Sequence, residues 1–355
     1  MFSYYQTTTE YSCGVDLHSR QMYICVMDKN GKVLVHRNVK GNDFGYFLKL
    51  VEPYKHSLTV CCECTFNWYW FADACMDAGF EFVLGHALYM RAIHSFKSKN
   101  DRQDCFQIAH LLRSNLIPPA YVYPREKRAV RALLRQRTTF VWKRSEILTS
   151  VSMGVMAHCN TPLNSSNKPR DLWLEELRAV YADADPILML SVETSMHMVK
   201  EFDAIIAKLD WALHKHTKDH FGVEYNTLKT TPGIGVTLGL IVLYEIDDIR
   251  RFKSVQDFLS YCRLAKGTVA SAGKIKGTQG GKIGNGYLKY AFHEAAVLGK
   301  RRSPAMNRYS QRLEAKKGKH LANGILACKL ARAVYFMLRD HKVFDIEKLT
   351  RQRAA

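Results

Sequence analysis

The stretch KNDRQDCFQIAHLL, residues 99–112, places Asp101 and Asp104 three positions apart where helical periodicity begins. Residues at that spacing share a helix face, so the two carboxylates project together and can hold a hard cation through oxygen. The same spacing suits capping, with Asp101 as N-cap and Asp104 in the first turn, where carboxylates are favourable. Convergence of further carboxylates would decide between the two. Asp16 lies between Val15 and Leu17 in one apolar segment, and Glu63 interrupts another, TVCCEC. A buried unpaired carboxylate is costly, so each needs a partner, either an arginine or a metal. If the two segments are neighbouring strands, Asp16, Glu63, Asp101 and Asp104 form a set able to hold one or two Mg²⁺ or Mn²⁺ ions. Such a site polarises a scissile phosphate and stabilises its leaving oxygen.

The elements that would carry these acids follow from periodicity. YSCGVDLH, QMYICVMD and KVLVHRNVK read as three strands, the last two joined at Asn30-Gly31, a strong hairpin signal. Residues 43–54 suit a helix, 57–64 a buried strand, 67–80 a helix and EFVLGH a strand, before the helix that begins near Asp101. Three antiparallel strands followed by alternating helices and strands is the order of a ribonuclease-H-like α/β domain, in which strands one and four are neighbours.

Beyond IPPAYVYP the pattern becomes helical, over 125–158 and 171–217, with Arg128, Arg131 and Arg135 dense at the start as candidate nucleic-acid contacts. Val192, Val199, Phe202, Ile206, Leu209 and Leu213 follow a heptad, which fits a coiled coil or an ordinary amphipathic bundle helix. NTPLNSSNKPR, 160–170, reads as a linker. TTPGIG with Gly233 and Gly235, ahead of an apolar helix, resembles a helix-hairpin-helix element, whose glycine turn can offer backbone N–H groups to a phosphate. It also fits a plain tight turn. From Arg263 to Lys319 the chain is strongly basic, with Lys274, Lys276, Lys282 and Lys289 among its cations and only Glu294 and Glu314 as acids. The expected domains are 1–124, 125–225 and 226–355.

The whole chain of 355 residues carries 52 Lys and Arg against 33 acids, a net charge of +19, so a polyanion is the first partner to consider. Apolar residues make up 47%, enough for substantial cores. The N-terminal residues lack a signal-peptide pattern, and no apolar run is expected to span a membrane, so the reading is cytoplasmic and nucleoid-associated, with no membrane partner. Ten cysteines without a C-x-x-C spacing read as buried reduced thiols.

GVDLH, CCECTFNWYW, KNDRQDCFQIAHLL, TTPGIG and RLAKGTVASAGKIKGTQGGKIGNGYLKYAFHEAA occur in the order found in DEDD transposases of insertion-sequence family one-ten, relatives of the pilin-gene invertase Piv, and the chain resembles that family over nearly its whole length. The resemblance implies a RuvC-like domain with the acids Asp16, Glu63, Asp101 and Asp104, and a C-terminal transposase domain with a serine nucleophile. The matching serine is Ser271, in a run where Ala272, Lys274 and Lys276 depart from the residues common in the family; Thr268 and Thr278 are the alternatives. It further implies a phosphoserine–DNA intermediate, a structured noncoding guide RNA, donor and target DNA, and a homodimer that assembles into a tetramer. The competing readings are a metal-dependent junction nuclease with no covalent intermediate and a non-catalytic RNA-binding scaffold.

Overall fold

The computed structural model describes residues 4–93, 100–162, 169–182, 186–217, 222–265, 267–271, 273–279, 281 and 283–351. The chain divides into two compact units, Met1–Arg125 and Glu126–Ala355.

The first unit is built on β1 (Tyr11–Leu17), β2 (Gln21–Asp28), β3 (Val33–Lys40), β4 (Leu58–Glu63) and β5 (Glu81–Gly85), in the order β3-β2-β1-β4-β5. The first three strands are antiparallel; β4 runs parallel to β1, and β5 to β4. The β2–β3 turn forms at Asn30-Gly31. Gly31 takes a φ of 85°, and Asp28 Oδ1 accepts from the Asn30 and Lys32 amides, both at 2.9 Å. Helix α1 (Phe44–Val51) stops short of the expected residue 54 because Pro53 removes an N–H, and a 3₁₀ turn carries the chain to β4. Helices α2 (Trp68–Asp77), α3 (Ala87–Ile93) and α4 (Asp101–Arg113) follow.

Both faces of β1 are covered, so all but its first residue are buried, with Cys13, Val15 and Leu17 alternating with Ser12, Gly14 and Asp16. On one face Cys13, Val15 and Leu17 pack with Ile24, Val60, Phe47 and Phe71. On the other, α4 lies close against the sheet at Gly14. A Cβ there would sit 2.2 Å from the Ala109 nitrogen and 2.3 Å from the Cys105 carbonyl oxygen.

The second unit begins with α5 (Arg128–Cys159), α6 (Arg170–Val180) and α7 (Pro186–Thr217). The expected linker at 160–170 falls largely outside the described residues. Val192, Val199, Ile206 and Leu213 are buried on α7 at strict seven-residue spacing, while Phe202 and Leu209 are half-buried beside them. Arg137 of α5 grips Asp210 through two 3.0 Å hydrogen bonds, and Arg144 pairs with Asp203. One number rises by seven as the other falls by seven, so the helices run antiparallel in a register that these pairs fix.

Helices α8 (Val223–Lys229), α9 (Val236–Ile246), α10 (Val255–Tyr261), α11 (Gly286–Arg302), α12 (Pro304–Lys317), α13 (Lys319–Asp340) and α14 (Ile346–Thr350) enclose the larger core. Between α10 and α11 the strands β6 (Gly267–Ser271) and β7 (Lys274–Gln279) form an antiparallel ribbon. Against the expectation that no run reaches spanning length, α13 is long and apolar enough to cross a membrane by length and composition. Half of its most apolar window is buried, and Leu326, Leu330 and Val334 lie in the core. All ten cysteines are free, and burial pushes the Cys25 thiol to about 12, where it is inert at neutral pH.

Gly14→Ala should force α4 away from β1, an overpacking cost of about 2–3 kcal/mol. Urea denaturation is expected to show a lower midpoint at unchanged slope; an unchanged midpoint would mean that α4 retreats freely.

Candidate functional site

Four features bring the acids together. The parallel register pairs Val15 with Cys62, so the next step along both strands brings Asp16 level with Glu63 on the face that α4 covers. Close approach at Gly14 sets Cys105 and Ala109 over mid-strand, and the start of α4 then lies over the strand's end. The N-cap of α4 is Asn100, whose side chain accepts from the Arg102 amide at 3.0 Å, so the capping role expected of Asp101 is filled by its neighbour. Finally, the loop after β1 turns His18 back towards Asp16.

Asp16, His18 and Asp101 each offer a ligand atom within 4.8 Å of the others. His18 Nε2 lies 2.9 Å from Asp16 Oδ2 and 3.5 Å from Asp101 Oδ1. Adjacent donors around an octahedral cation at about 2.1 Å stand about 3 Å apart, so this spacing suits a divalent ion. The His18 carbonyl accepts from the side-chain amides of Asn42 and Asn67, both at 3.0 Å, which holds the loop in place. His18 ends the GVDLH segment, and the sequence pattern assigns it no role. It lies just past the end of β1, where a polar residue is unremarkable, so no local signal singles it out.

Asp16 is 9% exposed. Burial raises its carboxyl above the usual carboxylate range; His18 acts the other way by charge and hydrogen bond, and the charges of Asp104 and Asp101 add to the rise. Asp104 and Glu63 stand outside the close trio, Asp104 on the same helical turn as Asp101 and Glu63 half-buried at the end of β4. A buried carboxylate burdened by neighbouring carboxylates, with an imidazole beside it, is a donor set that a divalent cation satisfies.

In the second unit, Ser271 is exposed at the tip of the β6–β7 ribbon, paired with Lys274, and Lys276 is exposed on β7. Thr268 pairs with Thr278 further from the tip. Lys282 lies outside the described residues, and Lys289 is exposed in the first turn of α11. Arg128 opens α5. Arg131 and Arg135 both reach Glu245, which is 2% exposed: Arg131 Nε bonds Oε2 at 3.0 Å, and Arg135 bonds Oε1 at 2.6 Å and Oε2 at 2.8 Å. Asn285 Nδ2 adds a bond at 2.6 Å. Burial alone would raise the Glu245 carboxyl, but the Arg135 hydrogen bond and the charges of both arginines outweigh it and hold it below its ordinary value. These two guanidinium groups therefore brace α5 against α9. Gly233, at φ 92°, packs against α11, where a Cβ would lie 2.2 Å from the Ala295 carbonyl oxygen; Gly235 is half-exposed at the N-terminus of α9.

Residues 13–152 match a transposase family, the DEDD transposases of IS110 elements, and residues 225–311 match the transposase IS116/IS110/IS902 family. Together the matches cover more than half of the sequence. Transposases of this family are DNA-cleaving and recombining enzymes with DNA as partner, and the acidic cluster suggests a divalent metal. The chain belongs to the IS110 family of DEDD transposases. No curated protein matches it.

Because the folded Asp16 carboxyl keeps its proton to higher pH than the unfolded one, the folded state binds more protons between the two values. Stability falls as pH rises through that interval, and the deficit persists at neutral pH. Asp16→Asn removes it. The variant should melt higher than wild type at neutral pH in chelator, with the gain shrinking towards about pH 4; a lower melting point would show that the His18 contact outweighs the burial cost.

Proposed function

We propose that this transposase is an RNA-guided, Mg²⁺- or Mn²⁺-dependent recombinase that exchanges DNA strands through a phosphoserine intermediate. The observation that carries the reading is the convergence of Asp16 and Asp101, with Asp104 and Glu63 alongside, in the segment matched to DEDD transposases. In this reading residues 1–124 are a RuvC-like domain, 125–225 a helical coiled-coil region and 226–355 the transposase domain.

Asp16, Glu63, Asp101 and Asp104 would hold the metal, with His18 beside them, and the ion held there would supply polarisation of the scissile phosphate and stabilisation of the departing oxygen. Ser271 Oγ attacks phosphorus as the bridging P–O bond breaks; the serine proton leaves to an acceptor at the site, and the freed strand oxygen takes one up. The new bond conserves the energy of the old one, so strands rejoin without an external energy source. Lys274 and Lys276, flanking the serine on an exposed ribbon, steady charge on the phosphate. Lys282 and Lys289 belong to the same basic segment, and Gly235 keeps a place for a backbone phosphate contact. Gly233 is committed to packing, and Arg131 and Arg135 to Glu245. The guide RNA supplies sequence choice by base pairing. A homodimer that pairs into a tetramer supplies two sites for two duplexes.

Asn or Gln in place of any one of the four acids is expected to reduce cleavage on the order of a hundredfold or more while folding survives. Retained cleavage in all four would remove the metal assignment. On a substrate that traps cleavage midway, wild type should carry a denaturation-resistant DNA adduct that maps by peptide sequencing to GTVASAGK, and Ser271→Ala should lack it. An adduct on Thr268 or Thr278 would relocate the nucleophile. Undiminished cleavage by Ser271→Ala with no adduct would favour the hydrolytic junction nuclease. Purification from cells carrying the whole element should recover one discrete noncoding transcript; heterogeneous cellular RNA alone would argue against guidance.

A further inference from the structure

The last three helices enclose a groove of about 790 Å³. Arg312 and Lys316, four apart and so on one face of α12, line one side. Lys348 on α14 and Arg351 just beyond it line the other, and Lys329 of α13 lies between them beside Tyr309. Among the described residues, no carboxylate lines the groove. The one acid of α12, Glu314, is engaged with Lys300 at 3.1 Å and Ser310 at 2.9 Å. Lys329 Nζ donates to the Leu349 carbonyl at 2.7 Å and sits 4.5 Å from the Tyr309 ring centroid, tying α14 to α13. Lys348 has an exposed contact with Asp345 at 3.4 Å, a pair of little worth in water. Among the described residues, Arg312, Lys316 and Arg351 form no ion pair.

Elsewhere in this unit several arginines are paired with acids, as at Asp203, Asp210 and Glu245. Here two rows of cations face one concave surface, and apart from the exposed Lys348–Asp345 contact none of them is paired with an acid among the described residues, an arrangement that concentrates positive potential. All five cations lie beyond residue 311, outside the two family-matched segments. We propose that this groove binds the phosphodiester backbone of duplex DNA. The inference rests on DNA being the partner that family membership carries, and it needs neither the serine step nor the guide RNA. Backbone contacts carry no sequence information, so the groove would add affinity and orientation whatever target is chosen.

The test uses the full chain with Arg312→Glu/Lys316→Glu and Lys348→Glu/Arg351→Glu, plus Arg312→Gln/Lys316→Gln as a milder variant in case a reversal fails to fold. Binding to a random-sequence duplex DNA and to an RNA of the same length is measured in chelator over a range of salt. Because no cleavage is read, the result is independent of the metal and serine assignments. Each reversed pair is expected to weaken duplex binding about tenfold or more, and each pair, reversed or neutral, to lower the salt slope by about 2, at an unchanged melting temperature. Duplex affinity and slope equal to wild type in every variant, or a loss confined to RNA, would overturn the proposal.

Discussion

The first unit depends on one close contact, α4 against β1 at Gly14. A side chain of any size would collide with the α4 backbone at Cys105 and Ala109. Only glycine lets the helix lie low enough for its first turn to meet the strand's end, and Asp16 and Asp101 share His18 as a result. The apolar sides of α4 do the holding: Ile108, Leu111 and Leu112 pack with Cys61 and Val83, and Cys105 and Ala109 with Cys25 and Met27. Burial that could have gone to stability alone also carries acids to a place they would not choose. The raised Asp16 carboxyl is the sign of that strain, since mutual repulsion and desolvation both oppose its charge.

In the second unit charge does a different job. A net charge of +19 suggests a surface given over to polyanions, yet many of the strongest cations face inwards to acids. Arg137 with Asp210 and Arg144 with Asp203 repeat along α5 and α7 at the heptad interval, where apolar side chains would leave the register free to slide. Glu245 takes two arginines and an asparagine in a buried site, joining α5, α9 and the start of α11. Removing one partner from such a site leaves uncompensated charge, which is why these residues are fixed by the fold. Net charge is therefore a poor map of nucleic-acid contacts; cations without internal acids are the better guide.

This difference also explains what the sequence made legible. Strand periodicity, the Asn30-Gly31 turn and the apolar run around Glu63 placed β1 beside β4, because each is a local signal that tertiary packing reinforces. The acids were legible for the same reason: a carboxylate inside an apolar strand contradicts its surroundings. His18 was not, since a polar residue just past a strand contradicts nothing. Arg131 and Arg135 looked like phosphate contacts because Glu245, over a hundred residues away and inside an apolar helix, could not be paired with them from spacing. Gly233 fitted a phosphate turn and a packing contact equally, and only the nearness of Ala295 and Gly299 separates them.

The two chemical parts are also held in contrasting ways. Asp16 is fixed by the strand ladder, by His18 and by a helix packed over its own strand, so its position is over-determined before any substrate arrives. Ser271 sits on a two-stranded ribbon whose described side chains are exposed apart from the half-buried Val269. A two-stranded ribbon without a covered face has little stability of its own. In the proposed mechanism, a phosphate backbone that neutralises Lys274 and Lys276 would order the ribbon in the act of meeting the serine. In the mechanism proposed above, a nucleophile carried this way would become effective only with nucleic acid present, whereas the acidic cluster is already formed; rigidity would then lie with the part that needs preorganisation and freedom with the part that needs restraint.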